Sequence, residues 1–156
     1  MDCNIRFIVL IIGCFLFSCK EPKTDNTLLY SNYKLELLST DRSFSDLSEK
    51  EGIKLAYFEY IDSNGVLLRP NELPIVGAEA IDYLAQQNDH DYTLTWDPQH
   101  AEVGASGDLG FTYGVYILKP KDYDTLFYGN YTNIWKKQPD GKWKLILNSG
   151  NEGLGN

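Results

Sequence analysis

The chain has 156 residues and a formal net charge of −8, with 43% hydrophobic and 23% charged side chains. This composition is that of a globular protein with a core of its own, and the scattered acidic groups are interpreted as a solvated, soluble surface. Because the chain is acidic and has no basic stripe, we expect no nucleic acid among its partners.

The first 18 residues have the pattern of a secretory signal. Arg6 precedes an apolar run from Phe7 to Phe17, and the small residue Ser18 stands just before Cys19. The run is too short to cross a hydrocarbon core, which needs about 20 helical residues. We therefore expect residues 1–18 to be a signal peptide that is removed.

The quartet "LFSC", Leu16 to Cys19, resembles the lipobox of bacterial lipoproteins, with Phe17 where a smaller residue is usual. The resemblance implies that Cys19 becomes a lipidated N-terminus held in the bacterial envelope. Since Lys20 is not acidic, we expect the outer membrane, on its periplasmic side or at the cell surface. Cys3 and Cys14 leave with the signal, so no thiol remains for a disulfide or a nucleophile. The alternative, a cytosolic protein with three thiols, leaves the apolar N-terminus unexplained.

Residues 19–31 are polar, include a proline and show no period, which predicts a short tether between lipid and domain. Apolar residues then recur at helical spacing from Leu35 to Ile61, with an interruption at Gly52. We predict two helices, or one helix broken at that glycine. A third helix is predicted to end near Gln87.

Between the second and the third predicted helix, the residues Asp62–Gly65 predict a turn, and the stretch up to Pro70 predicts a short strand. From Asp91 onward the hydrophobic period is two, which indicates β-strands. Five strands are predicted, namely "YTLTWDP", "HAEVGAS", residues 109–117, residues 125–138 and "WKLILN", with "QPDGK" as the last hairpin turn. Helices followed by an antiparallel meander predict an α+β domain over residues 32–150 and a flexible tail over 151–156.

The glycine-rich stretch "GASGDLGFTYGVY" does not have the order of a phosphate-binding loop, because a strand rather than a helix follows it. We predict a hairpin turn at Ser106–Asp108. Gly110 and Gly114 are predicted to thin one face of the next strand, so that another layer can approach or the sheet can bend.

Five stretches, in this order, resemble the SnoaL-like, ketosteroid-isomerase-like superfamily, and more narrowly a bacterial domain of unknown function in that group. They are "DRSFSDLSEKEGI", "VLLRPNELPIVGAEAI", "LTWDP", "ASGDLGFTYGVY" and "GNYTNIWKKQPDGKWKLILN". The similarity covers about Lys34 to Asn148 and implies a cone, in which a curved, mixed and mostly antiparallel sheet wraps around N-terminal helices and a pocket opens at the wide end. The superfamily includes isomerases, polyketide cyclases, dehydratases and members without chemistry, so the resemblance is informative for fold rather than for reaction.

Isomerases and cyclases on this fold use one carboxylate base in an apolar cavity, where burial raises the carboxyl pKa. Asp41 is the candidate for such a base. We favour instead the interpretation that it caps or tethers its helix and pairs with a basic group. Because no serine stands in a nucleophile motif and the histidines, His90 and His100, flank strand ends, we predict no acyl-transfer triad, metal site or cofactor.

Aromatic side chains supply the material for a pocket. Rings with polar tips on a curved sheet can line a small-molecule site, or they can pack as a core without a ligand, and both interpretations stay open. The residues predicted to bind a ligand are Tyr57, Arg69, Trp96, Tyr113, Tyr131 and Trp135, with Tyr57 and Arg69 placed there by the family's arrangement.

We expect a small-molecule binding module, because no set of carboxylates, histidines or thiols has a spacing that demands catalysis. An acid/base enzyme of the isomerase, cyclase or dehydratase type, with a single pocket carboxylate, is the first alternative. A non-catalytic dimeric interaction module is the second. The fourth predicted strand offers an outward, partly apolar face through Leu126, Tyr128 and Ile134, so a homodimer formed sheet to sheet is expected.

Overall fold

The computed structural model describes residues 26–153, so Cys19 and the predicted signal peptide lie outside the described residues. The helices are α1 (Asn26–Glu51), α2 (Ile53–Tyr60) and α3 (Ala78–Gln86), and the strands are β1 (Ile61–Leu68), β2 (Ile75–Val76), β3 (Tyr92–Val103), β4 (Leu109–Pro120), β5 (Phe127–Lys137) and β6 (Trp143–Glu152). None of the helices in the part that the structure describes is long and apolar enough to cross a membrane.

The strands form one sheet in the order β2-β1-β6-β5-β4-β3. β1 and β6 are parallel, and the other neighbouring pairs are antiparallel. The helices pack on one face of this sheet, with α1 lying mainly across β3, and the core forms between the two layers. The predicted α+β fold with a mixed, mostly antiparallel sheet around N-terminal helices is confirmed.

The predicted break between the first two helices occurs at Gly52, which has a φ of 93°. A Cβ atom at this position would lie 2.7 Å from a carboxylate oxygen of Asp89. The same oxygen accepts a hydrogen bond of 3.2 Å from the backbone N–H of Lys54 and thereby caps the first turn of α2. A loop far along the chain therefore fixes where α2 begins. Ile61, which was grouped with this helix, is the first residue of β1.

The ordered elements extend beyond the predicted domain limits at both ends. Residues 26–31, expected in the tether, belong to α1, where the Ser31 hydroxyl donates a hydrogen bond of 2.9 Å to the Thr27 carbonyl. Each residue added to a helix that is already anchored gains one backbone hydrogen bond, so a polar segment without a period can continue the helix. At the other end, β6 reaches Glu152, which pairs with Gly129, so the tail predicted over 151–156 begins inside a strand.

The strands predicted as "YTLTWDP" and "HAEVGAS" are one continuous strand, β3. Pro98 pairs with Gly114 and His100 pairs with Tyr113, which leaves Gln99 as an extra residue in a β-bulge. A bulge accommodates proline without ending the strand. The prediction of two strands is therefore wrong at this point.

The turn predicted at Asp62–Gly65 is a bulge inside β1. Ile61 pairs with Leu145 and Val66 pairs with Leu147, so the residues between them leave the ladder with β6. The Asn64 N–H donates a hydrogen bond of 2.9 Å to the Asp62 carboxylate. These turn-forming residues therefore stabilise a bulge, and the chain does not reverse its direction here.

The two predicted hairpin turns are confirmed. Gly107 N–H donates to the Gly104 carbonyl between β3 and β4, and Gln138 N–H donates to the Lys142 carbonyl at 2.8 Å between β5 and β6. Along β4, the face with Gly110 is buried, and a Cβ atom there would lie 2.7 Å from a methyl carbon of Leu37. The predicted close approach of a second layer at this glycine is thus confirmed, and the layer is α1.

Candidate functional site

A cavity of about 320 Å³ lies between the three helices and the concave face of the sheet. Most of its wall is apolar, with rings from Trp96 on β3 and Tyr131 on β5. Its polar lining comes from a few groups, among them Arg69, just after β1, and the amides of Asn133 and Asn148. A cavity of this size with few convergent polar groups is typical of a small-molecule site.

Asp41 lies beneath this cavity, on the inner face of α1, and its side chain is completely buried (0% exposed). One carboxylate oxygen accepts hydrogen bonds from the Trp96 indole at 2.9 Å and from the Asn133 amide at 3.1 Å. The other accepts a hydrogen bond of 2.8 Å from the Tyr131 phenol. The Thr112 hydroxyl is a further donor to Asp41. The carboxyl group therefore ties α1 to three strands.

The surroundings of Asp41 oppose its ionisation. Burial raises the pKa of the Asp41 carboxyl, and the hydrogen bonds from Thr112, Trp96, Tyr131 and Asn133 offset only part of that effect. Burial, and then the nearby charge of Asp41, also raise the pKa of the Tyr131 phenol. The preferred interpretation had Asp41 cap or tether its helix and pair with a basic group. Its hydrogen bonds to the facing strands are those of a tether, but the expected basic partner is wrong, since all the donors are neutral side chains.

A second group of hydrogen bonds continues from the floor of the cavity to its wall. The Asn148 amide donates to the Asn133 carbonyl oxygen at 2.7 Å. The Asn148 oxygen accepts from the Tyr57 phenol at 2.8 Å and from the Arg69 guanidinium at 2.7 Å. The pKa of the Tyr57 phenol is raised by burial, and the charge of Arg69 offsets only part of this effect. These side chains form one chain of hydrogen bonds from Arg69 to Asp41.

Proteins of known structure share this architecture. A ketosteroid isomerase-like protein from Erwinia carotovora atroseptica superposes with a TM-score of 0.60 at 14% sequence identity, covering 76% of this chain and 95% of the other. A nuclear transport factor 2 (NTF2-like) superfamily protein from Salmonella enterica gives a TM-score of 0.59 at 12% identity, covering 80% and 96%. An NTF2-like protein from Novosphingobium aromaticivorans gives 0.59 at 15% identity, covering 86% and 94%. The fold is NTF2-like.

At these sequence identities the likeness shows the NTF2-like fold and carries no information about the reaction or the ligand. No protein-family model and no curated protein sequence matches the chain. The function must therefore be argued from the cavity itself.

Four of the six residues predicted to bind a ligand line the cavity of this NTF2-like domain, and two do not. Tyr57, Arg69, Trp96 and Tyr131 are the four that line it. Tyr113 lies on the outer face of β4, where it is 44% exposed, because its neighbour Gly114 takes the inward position. Trp135 is fully buried in the core below the cavity, and its indole donates a hydrogen bond of 2.9 Å to Thr112. Both are corrections to the predicted site.

Sequence reasoning missed several residues of the cavity wall, namely Tyr83, Tyr92, Tyr116, Asn133, Asn148 and Gly150. The two asparagines carried a usable signal. Asn133 is two positions from Tyr131, so the alternation of a strand places both on the same face of β5. Asn133 pairs with Asn148 on the neighbouring strand β6. Polar residues at inward positions of neighbouring strands predict a polar group in the core or a cavity.

Proposed function

We propose that this chain is a lipid-anchored protein of the bacterial envelope whose NTF2-like domain binds a small organic molecule. The observation that carries the proposal is the cavity of about 320 Å³, lined by aromatic and aliphatic side chains and holding a few fixed polar groups. Trp96 and Tyr116 on its wall are only partly buried, so part of each side chain remains accessible to a ligand.

The polar groups in the cavity are held in place before any ligand arrives. Asp41 accepts hydrogen bonds from Tyr131 and Asn133, and Asn148 accepts hydrogen bonds from Tyr57 and Arg69. A side chain that is already fixed loses little conformational entropy when it contacts a ligand. This arrangement therefore favours binding with a defined orientation.

The proposal is tested by filling the cavity. Gly150 lines it, and a Cβ atom there would lie 3.7 Å from the Tyr116 ring, an ordinary contact. Gly150→Leu should insert a side chain into the cavity, whereas Asn151→Leu adds the same side chain on the opposite, exposed face of β6. Ligand-observed NMR with a panel of one-ring and two-ring compounds should show binding that Gly150→Leu abolishes and Asn151→Leu retains. Equal binding by both variants would reject the cavity as the site.

A second candidate function is acid/base catalysis of the isomerase, cyclase or dehydratase type. The observation that favours it is the buried Asp41 carboxyl, which has a raised pKa and accepts a hydrogen bond of 2.8 Å from the Tyr131 phenol in the cavity wall. Such an enzyme would use Tyr131 as the group that contacts the substrate. Turnover that disappears in Asp41→Asn while the fold is retained would favour catalysis over binding alone.

The lipid anchor rests on the signal pattern and on Cys19. Replacing Cys19 by alanine removes the thiol that receives the lipid, so the chain should leave the membrane fraction or accumulate unprocessed. Fractionation of cells that express the two forms measures this directly. An altered chain that is processed normally and stays in the membrane fraction would overturn the anchor.

We also propose that two copies of the chain pair through the outer face of the sheet. Apolar residues on this face remain exposed on β4 and β5, namely Leu109, Phe111, Tyr113 and Tyr128. Phe111 pairs with the partly buried Ile134 and Tyr128 pairs with the partly buried Ile117, so apolar residues of the two strands adjoin at two places on this face. A second copy would cover it.

A further inference from the structure

We infer that the ligand of the cavity is an apolar, ring-containing molecule that carries one carboxylate, and that this carboxylate binds Arg69. The inference rests on the proposed function of the cavity as a small-molecule site. It adds the charge of the ligand and the residue that recognises it.

Arg69 has no acidic partner among the described residues. Its Nη1 donates to the Leu68 carbonyl at 3.0 Å and to Asn148 at 2.7 Å, and its Nη2 donates to the Tyr57 phenol at 3.2 Å. All three acceptors are neutral. A partly buried guanidinium without a counter-ion is unfavourable, and an anionic ligand would supply the missing charge.

The geometry of these hydrogen bonds leaves one edge of the guanidinium without a partner among residues 26–153. Tyr57 and Asn148 are bonded to each other at 2.8 Å and together occupy the end formed by Nη1 and Nη2. The two N–H groups not used by the described residues, on Nε and Nη2, are parallel. Such a pair matches the two oxygens of a carboxylate. A single planar carboxylate fits this edge better than a phosphate, whose further charge would find no second cation there.

The other charged groups of the cavity wall do not provide an alternative anion site. Lys54 lies 3.9 Å from the Asp89 carboxylate and donates to the Ala85 carbonyl at 3.4 Å, so its charge is already compensated. Glu152 also lines the cavity, next to Tyr116, whose pKa is raised by burial and then by the Glu152 charge. A nearby acidic group disfavours ligands with several negative charges. With Lys54 compensated, the wall has one cation without an acidic partner among the described residues and one acid, which favours a monoanion.

The remaining residues of the cavity wall determine the size and polarity of the ligand's uncharged part. Trp96, Tyr131, Leu94 and Leu118 present rings and aliphatic carbon to the cavity. A volume of about 320 Å³ is at the small end of organic ligand sites, so we expect one or two rings. The ligand class is therefore an aromatic or alicyclic monocarboxylate.

The test compares 2-naphthoate with 2-naphthamide, which has the same rings and no charge. Isothermal titration calorimetry at pH 7 uses the mature chain without its lipid, residues 20–156. Because a hydrogen bond to a charged group contributes more than one between neutral groups, naphthoate should bind about tenfold more tightly than naphthamide. Arg69→Met should remove this preference, and the matched variant Lys54→Met should retain it, since these are the two cations in the described wall.

The outcomes separate the inference from the function on which it rests. Equal binding of the two compounds to the unaltered chain leaves the cavity as a site and overturns the carboxylate inference. No binding of either compound overturns both. If Arg69→Met binds neither compound, the result for Lys54→Met is decisive. A retained preference of Lys54→Met for naphthoate supports Arg69 as the anion site. A lost preference assigns the carboxylate to Lys54 and overturns the inference.

Discussion

The phenol of Tyr131 donates a hydrogen bond of 2.8 Å to the carboxylate of Asp41, which lies 90 positions earlier in the chain. This bond joins the inner face of α1 to the middle of β5 at the floor of the cavity. Asp41 does not line the cavity, whereas Tyr131 does. In the proposed ligand site, the buried carboxyl would therefore act only through the side chains that it holds.

Tyr131→Phe should destabilise the domain by about 1–2 kcal/mol, because Asp41 loses a buried hydrogen-bond donor. Urea unfolding measures the free energy of unfolding directly. The matched control is Tyr128→Phe, three positions earlier on the exposed outer face of β5, which should change stability by no more than about 0.5 kcal/mol. Equal effects at the two positions would show that the bond to Asp41 contributes nothing.

The contribution of Asp41 to stability should depend on pH in a direction fixed by its raised pKa. A carboxyl whose pKa is higher in the folded than in the unfolded chain stabilises the fold most below its ordinary value of 3.8, and this stabilisation is lost as pH rises through the folded pKa. The difference in unfolding free energy between the unaltered chain and Asp41→Asn should therefore fall as pH rises from 4 toward neutrality. The contributions of the other carboxyl groups to the pH dependence cancel in this difference. A difference that grows with pH would contradict the account.

Asp89→Ala should destabilise the domain by about 1 kcal/mol, because the first turn of α2 loses its hydrogen-bond acceptor for the Lys54 N–H. Thermal unfolding of Asp89→Asn, which keeps a side-chain oxygen, should show a smaller loss. The exposed Asp82 on α3 provides the control, since Asp82→Ala should leave the melting temperature nearly unchanged. A loss at Asp82 as large as that at Asp89 would remove the argument for a cap.

Gly110→Ala should destabilise the domain by about 1–3 kcal/mol through overpacking. The added methyl group would meet the Glu102 carbonyl at 2.6 Å and the Leu37 side chain at 2.7 Å. Gly104→Ala is the matched control, because the nearest atom to its new methyl group is 3.5 Å away. Denaturant unfolding of the two variants should separate them clearly, and similar stabilities would show that α1 is not held against β4 as described.

Tyr128→Lys should weaken the proposed homodimer, because it places a charge on the exposed outer face of the sheet. Tyr131→Ala changes the inner face of the same strand and should leave the dimer intact. Sedimentation of residues 20–156 measures both. A monomer at high micromolar concentration in the unaltered chain would rule out the dimer.

Much of the fold could be predicted because local signals coincide with the observed elements. Gly52 separates two helices, and "QPDGK" forms a hairpin, as each sequence pattern indicated. The bulge at Pro98 could not be predicted in the same way. Its proline and polar neighbours resemble a turn, and only the pairing of β3 with β4 on both sides of it makes one strand.

The site was harder to predict because its residues depend on contacts distant in sequence. Tyr113 was assigned to the pocket, but alternation does not tell which face of a strand is inward, and α1 covers the glycine face of β4. Asp41 was expected to pair with a basic group, and only its burial against β3 and β5 shows that its partners are neutral side chains. Both errors have the same origin, namely the packing of α1 on the sheet.

The most direct test of the account is a crystal structure of residues 20–156, soaked with a library of neutral and anionic one-ring and two-ring fragments. If the cavity is a ligand site, fragments should gather inside it, against Trp96 and Tyr131, more often than at any other place on the domain. A cavity that stays free of fragments while other surfaces bind them, or one that Tyr83 and Tyr116 fill with their own rings, would contradict the proposed function.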